Sequence, residues 1–233
     1  MIKRLQSAQN WVFDLDNTLY PPACDLFAQI DQRMTHYVAK TLQLPTEQAR
    51  VLQKQYYLKH GTTLNGMMHN HDVDPVDFLS FVHDIDHSVL RRDAALRAAI
   101  QALPGNKFIF TNGSQSHAQN VLLALGLDTV FDGMIGIEAT GFVPKPEQSA
   151  YDHLVQHFAL DPELCVFFED MERNLAPAFD MGFVTVLVTS DKDWSHEPEG
   201  ARPASLGDTH AHVDFTTDNL SEFLQQLMQG KAQ

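Results

Sequence analysis

Basic residues are in short supply. Sixteen lysines and arginines against 30 aspartates and glutamates leave a formal net charge of −14, which argues against a nucleic acid polymer or an anionic membrane as a generic partner. A phosphate-bearing ligand would have to be held by local positive charge, from a metal, a helix N-terminus or a placed lysine. Cysteine is scarcer still. Cys24 and Cys165 stand far apart and in no metal-type spacing, so neither a disulfide framework nor a zinc site is expected, and a reducing cytoplasmic setting fits best. No run of about 18 apolar residues occurs, and "MIKRLQSAQN" lacks an apolar signal-type segment, so neither membrane insertion nor export is expected. Internal repeats, low-complexity tracts and long Gly/Ser linkers are also missing.

What is present is enough for a substantial core: 233 residues, 44% of them hydrophobic. Short apolar runs recur, "WVF" near Trp11, "KFIF" at 107–110, "MIGI" at 134–137, "LCVFF" at 164–168 and "VTVLV" at 184–188. Helical segments such as "SHAQNVLLALGL" and "EQSAYDHLVQHFAL" separate the later ones. Continuous apolar strands alternating with helices predict a doubly wound α/β fold with a parallel sheet covered on both faces.

The interval 21–92 breaks this rhythm. It holds helical stretches such as "CDLFAQIDQRMTHYVAKTL" and "TEQARVLQKQYYLKH" and no convincing buried strand. The expected organisation is a core of residues 1–20 and 93–233 with a helical cap at 21–92. The polar, glycine-bearing "GTTLNGMMHNHDVDP" within the cap reads as a loop between two helices. Its His69 and His71 are two potential metal ligands without a third identifiable from spacing, and are placed on that loop.

Within "WVFDLDNTLYPP" two acids interrupt a strand-like apolar run, and ionised groups in such a place need a partner. In parallel α/β sheets ligands sit at the carboxyl ends of the strands. The candidate polar residues fall there: Asp14 and Asp16 after the first strand, Thr111, Asn112 and Gly113 after "KFIF", Glu169 and Asp170 at the end of "LCVFF", and Lys145 in "GFVPKP" after "MIGI". Each group alone has an ordinary structural explanation as a turn, cap or solvated side chain. Four such elements in this order are an improbable coincidence.

The succession D-x-D-x-T, T-N-G, K, E-D resembles the four motifs of the haloacid dehalogenase superfamily of phosphohydrolases, over essentially the whole chain, with the insertion where a helical cap is found. "FDLDNTLYPP", "FTNGSQSHA" and "FFEDMERNL" are similar to its pyrimidine 5'-nucleotidase-like branch. The resemblance implies a Rossmann-like core and Mg²⁺ as cofactor. It implies Asp14 as the nucleophile that forms an aspartyl phosphate, and Asp16 as general acid and base. Mg²⁺ would be held by Asp14, the Asp16 backbone carbonyl and Asp170, with Glu169 acting through water. Thr111, Asn112 and Gly113 would grip the phosphoryl group, and Lys145 would offset its charge. Dehalogenase members lack an acid comparable to Asp16 and need no metal, so Asp16 with Glu169 and Asp170 favours phosphoryl chemistry. E-D stands where many relatives have D-D, which leaves the role of Glu169 open; Asn174 resembles a residue bracing the nucleophile loop, and reads equally well as a helix-surface residue.

The expected activity is a Mg²⁺-dependent phosphomonoesterase acting on a small phosphorylated metabolite, foremost a pyrimidine nucleoside 5'-monophosphate. Alternatives are a sugar-phosphate phosphatase, a β-phosphoglucomutase-like phosphomutase, or a catalytically silent binding protein. Specificity is expected from cap-side residues, with Tyr20, His36, Tyr57, Lys59, Thr63 and Asn65 as candidates. The sequence carries no mark of oligomeric state.

Overall fold

The computed structural model describes residues 2–230. A short helix, α1 (Ile2–Gln6), precedes β1 (Asn10–Phe13). Four helices then follow without an intervening strand: α2 (Leu26–Leu42), α3 (Thr46–His60), α4 (Thr63–His71) and α5 (Pro75–Val82). From there helices and strands alternate as α6 (Ala94–Ala102), β2 (Asn106–Phe110), α7 (Gln115–Leu125), β3 (Gly133–Ile135), α8 (Gln148–Phe158), β4 (Cys165–Glu169), α9 (Glu172–Met181) and β5 (Val184–Val188). The described chain closes with β6 (Phe215–Thr217) and α10 (Leu220–Met228).

The six strands form one parallel sheet in the order β3-β2-β1-β4-β5-β6. It is the doubly wound α/β fold read from the sequence, and the strand order reverses at β1. The apolar runs become strands because both faces of the sheet are covered; every residue of β4 and β5 is buried. Alternate side chains serve opposite layers. Trp11, Phe13, Ile109, Val166 and Phe168 join one core with residues of α6, α7 and α10, while Val12, Phe108, Phe110, Phe167 and Leu187 join another with residues of α8 and α9. A third cluster gathers Ile30, Tyr37, Val38, Ala49, Leu64, Met67 and Phe78 of α2–α5, together with Ile137.

The segment read as a loop over "GTTLNGMMHNHDVDP" is instead α4. Thr62 caps its N-terminus by accepting from the Asn65 N–H, and Asp72 ends it in a left-handed conformation. Its glycine is a packing residue: a Cβ at Gly66 would lie 2.3 Å from the Tyr56 side chain, so glycine is what lets α4 approach α3. His69 and His71 therefore stand in the last helical turn rather than on a loop. The "MIGI" strand is also shorter than read, ending at Ile135, and β6, polar and partly exposed, left no apolar run to find.

Register sets the site. Phe13 pairs with Ile109 on one side and Phe168 on the other, so Asp14 emerges level with Phe110 and Glu169 at the carboxyl ends of three adjacent strands.

Candidate active site

Lys145 ties those three strand ends together. Its Nζ donates to Asp14 Oδ1 at 2.7 Å, to Glu169 Oε2 at 2.6 Å and to the Phe110 carbonyl at 2.9 Å. The side chain is fully buried, and its ammonium lies 5.2 and 5.3 Å from the Phe110 and Phe167 rings. Burial alone would favour the neutral amine, but the Asp14 and Glu169 charges outweigh it and hold the lysine above its ordinary pKa.

One ammonium does not balance the acids around it. Carboxylate oxygens of Asp14, Glu169 and Asp170, all buried, lie within 4.8 Å of one another. Burial, and then the Glu169 charge, push Asp14 up to about 7 against the opposing pull of Lys145. The same two causes, in the same order, raise Asp170 well above the ordinary range. Both Glu169 oxygens already have donors, Oε2 from Lys145 and Oε1 from the Met171 N–H at 3.2 Å. Asp14 and Asp170 remain as carboxylates with capacity to spare. An all-oxygen donor set with surplus negative charge suits a hard divalent cation.

Asp16 lies two residues beyond Asp14 and also lines the cleft. Its Oδ1 accepts from the Tyr20 hydroxyl and contacts His117 Nε2 at 2.9 Å, while Oδ2 is engaged by neither. Burial would raise this carboxyl, but His117 and then Tyr20 outweigh it and hold Asp16 below its ordinary value. His117, in the first turn of α7, stacks on His83 with ring centroids 4.3 Å apart and planes 9° from parallel. His83 follows α5 and places Nδ1 2.9 Å from Ser114 Oγ; burial and the neighbouring His117 push it down to about 3. His83 lies outside the strings that carry the resemblance, and the resemblance assigns no role to His117, although it lies within "FTNGSQSHA". The available signal was "SQSH", a serine cap followed three residues on by a histidine whose helix starts at the site.

The turn after β2 is organised around the lysine. The Asn112 side chain accepts from the Lys145 N–H at 2.8 Å and donates to the Lys145 carbonyl at 3.1 Å. The sequence points to the Gly113 N–H as a phosphoryl donor; in the structure it donates to Thr111 Oγ1 at 3.0 Å. Thr111 itself is buried at the cleft floor.

A cleft of about 400 Å³ lies between the strand ends and α2–α5. Asp14, Asp16, Thr111, Asn112, Gly113, Lys145, Glu169 and Asp170 line its floor, with Asn174 beside them. Asn174 is thus buried at the site, not on a helix surface. Phe27, Ile30, Met34, Phe78 and Val82 give the cleft an apolar wall. On another wall Asp31 pairs with Arg50 at 2.7 Å and Lys54 at 2.6 Å, and both cations also meet Glu197, which arrives from the loop after β5. Of the cap-side candidates, Tyr57 and Thr63 line the cleft, Tyr57 under the Arg173 guanidinium at 4.4 Å. His36 and Lys59 are exposed, and Asn65 donates to the His60 carbonyl; none of the three is a cleft residue. Tyr20 reaches the site only through Asp16. His71 faces the Tyr56 hydroxyl at 2.7 Å.

Residues 11–182 match the haloacid dehalogenase-like hydrolase family, and the chain belongs to that family. Among curated proteins it is similar to phosphate metabolism protein 8 of Saccharomyces cerevisiae, with 27% identity over 206 residues covering 80% of this chain and 63% of that protein. The chain thus spans less than two thirds of the yeast relative. Among solved structures it resembles a HAD phosphatase from Thermococcus onnurineus, with a TM-score of 0.61 and 16% identity over 97% of this chain and all of that one. It also resembles the L-2-haloacid dehalogenase of Xanthobacter autotrophicus, with a TM-score of 0.58 and 17% identity over 94% of this chain and 98% of that one. At such identities the likeness extends to the fold. Among the described residues no helix is long and apolar enough to cross a membrane.

Proposed function

We propose that this hydrolase is a Mg²⁺-dependent phosphomonoesterase acting on a small phosphorylated metabolite, foremost a nucleoside 5'-monophosphate such as UMP or CMP. The observation that carries this is the charge balance at the nucleophile: three buried carboxylates within 4.8 Å of one another against a single buried ammonium. A phosphate dianion would worsen that imbalance unless a divalent cation entered with it. Asp14 and Asp170, with the Asp16 backbone carbonyl, would hold Mg²⁺, which when bound offsets the charge of nucleophile and phosphoryl group. Glu169 supports the site from behind by orienting Lys145.

Asp14 attacks phosphorus through the oxygen not held by Lys145, and the P–O bond to the leaving group breaks as the aspartyl phosphate forms. Asp16, steadied at Oδ1 by His117 and Tyr20, rests as a carboxylate; the phosphate dianion beside it favours uptake of a solvent proton at Oδ2, which passes to the leaving oxygen and is replaced by one from the attacking water. Lys145 stays fixed through both steps and offsets the changing charge on Asp14. Residues 1–20 and 93–233 act as the catalytic core and 21–92 as a helical cap. The apolar wall of the cleft, with Tyr57 at its edge, favours a leaving group bearing a flat ring, which supports a nucleotide over a bare sugar phosphate. The acid at position 16 favours phosphoryl transfer over dehalogenation.

The test is inorganic phosphate release from a panel of nucleoside monophosphates and sugar phosphates, with Mg²⁺ and with excess chelator. Chelator-sensitive release led by UMP or CMP is expected. Release led by sugar phosphates would keep the mechanism and overturn the substrate, an isomeric ester in place of phosphate would indicate a mutase, and no turnover of any compound would indicate a silent binder.

A further inference from the structure

We propose that Glu172, His210 and His212 form a second metal site, outside the catalytic acids, suited to a borderline transition-metal ion such as Zn²⁺ or Ni²⁺. One ligand atom from each lies within 4.8 Å of the other two. Both imidazoles address the same carboxylate oxygen: Glu172 Oε2 is 2.8 Å from His212 Nε2 and 3.6 Å from His210 Nδ1. The rings, two residues apart on one segment, are tilted by 32° with centroids 5.7 Å apart, so they converge on the carboxylate rather than stack. All three side chains are partly exposed, which gives an ion a path in and leaves room for water as a further ligand.

The segment carrying the histidines is held before any ion arrives. The His212 carbonyl accepts from Thr185 Oγ1 at 2.8 Å, the Asp214 N–H donates to the Thr185 carbonyl at 3.2 Å, and the Val213 N–H donates to the His210 carbonyl at 3.1 Å. Glu172 is fixed as the first residue of α9. His212 Nε2 also lies 2.9 Å from the Glu172 carbonyl, a hydrogen bond it would give up by presenting the unprotonated nitrogen to the ion. Two imidazoles and one carboxylate are a donor set that borderline divalent ions prefer over Mg²⁺. The oxygen-only set of Asp14 and Asp170 has the opposite preference, so the two sites divide by chemistry. The same segment reaches the catalytic acids through Ala204, whose N–H donates to the Asp170 carbonyl at 2.8 Å. An ion at Glu172 would fasten this segment to α9 two residues beyond Asp170.

The test is Zn²⁺ and Ni²⁺ stoichiometry of the full chain by calorimetry in excess Mg²⁺, with imidazole NMR to locate the histidines affected. The wild type should bind one equivalent more than His210→Ala/His212→Ala, Glu172→Gln should weaken that equivalent, and ion-induced shifts should fall on His210 and His212. A double variant that keeps the wild-type stoichiometry and affinity would overturn the site. So would loss of the equivalent in His69→Ala/His71→Ala instead, or a wild type that binds no Zn²⁺ or Ni²⁺ beyond the acidic centre.

Discussion

Each proton of the Lys145 ammonium has a buried acceptor, and one of these is the expected nucleophile. Asp14→Asn should lower turnover at least about 10³-fold, roughly 4 kcal/mol of barrier, while far-UV circular dichroism stays unchanged. Retained wild-type rates would reject Asp14 as nucleophile. The same residue sets a pH dependence. Because the fold holds the Asp14 proton more tightly than the unfolded chain does, its contribution to stability falls as pH rises between the ordinary value of 3.8 and about 7. Melting curves of metal-free protein in chelator should show that decline, and Asp14→Asn should flatten it. At Asp16, removing the brace should affect rate more than binding: His117→Ala is expected to lower kcat roughly tenfold to a hundredfold with KM little changed, and His117→Gln to recover part of the loss. A pure KM effect would count against the brace. The motif residues were legible because chemistry restricts their type and spacing. The partnership of His83 with His117 was not, since the two meet only through a fold that brings residues 34 positions apart into a stack.

The elements divide along similar lines. β1, β4 and β5 could be read from their apolar runs because both faces of each strand are buried. α4 escaped because its glycine and its polar surface resemble a loop, although Gly66 is there for the approach to α3. The α2–α3 pair carries a charge cluster with no sequence signature, in which Asp31 meets Arg50, Lys54 and the Gln53 amide. Burial opposes the Asp31 charge, but Lys54 and then Arg50 outweigh it and hold the carboxyl below its ordinary range. A depressed carboxyl contributes stability above its unfolded value and loses it as pH falls through the folded one. Denaturant titrations at a series of acidic pH values should therefore show an acid limb in the wild type that is shallower in Asp31→Asn. At neutral pH the variant should be weaker by roughly 1.5–3 kcal/mol, the usual effect of removing a hydrogen bond to a charged group. Parallel acid limbs would remove Asp31 from the account.

For the molecule as a whole, −14 is compatible with a phosphate-bearing substrate if compensation is local, and since Lys145 alone does not balance the acids around it, the proposed Mg²⁺ would have to supply the rest. If the acidic centre binds Mg²⁺, a concentration about a hundred times its Kd should stabilise the fold by about 2.7 kcal/mol, raising Tm by roughly 5–10 °C for a chain of this size. Thermal scans with Mg²⁺ and with chelator would show this, and Asp170→Ala should abolish the shift; an equal shift in that variant would place the ion elsewhere. The global architecture was the most legible part of the sequence, since strand and helix alternation specifies a parallel sheet before any contact is known.

His83 belongs to the α5 side of the cleft, yet it touches Ser114 and stacks on His117, the support of Asp16. Withdrawing α2–α5 from the strand ends would part the two imidazoles. On the proposed mechanism, proton transfer at Asp16 would thereby be tied to closure: the chemistry would be armed when the cleft is shut over its occupant, and an open molecule would be a poor catalyst for stray water.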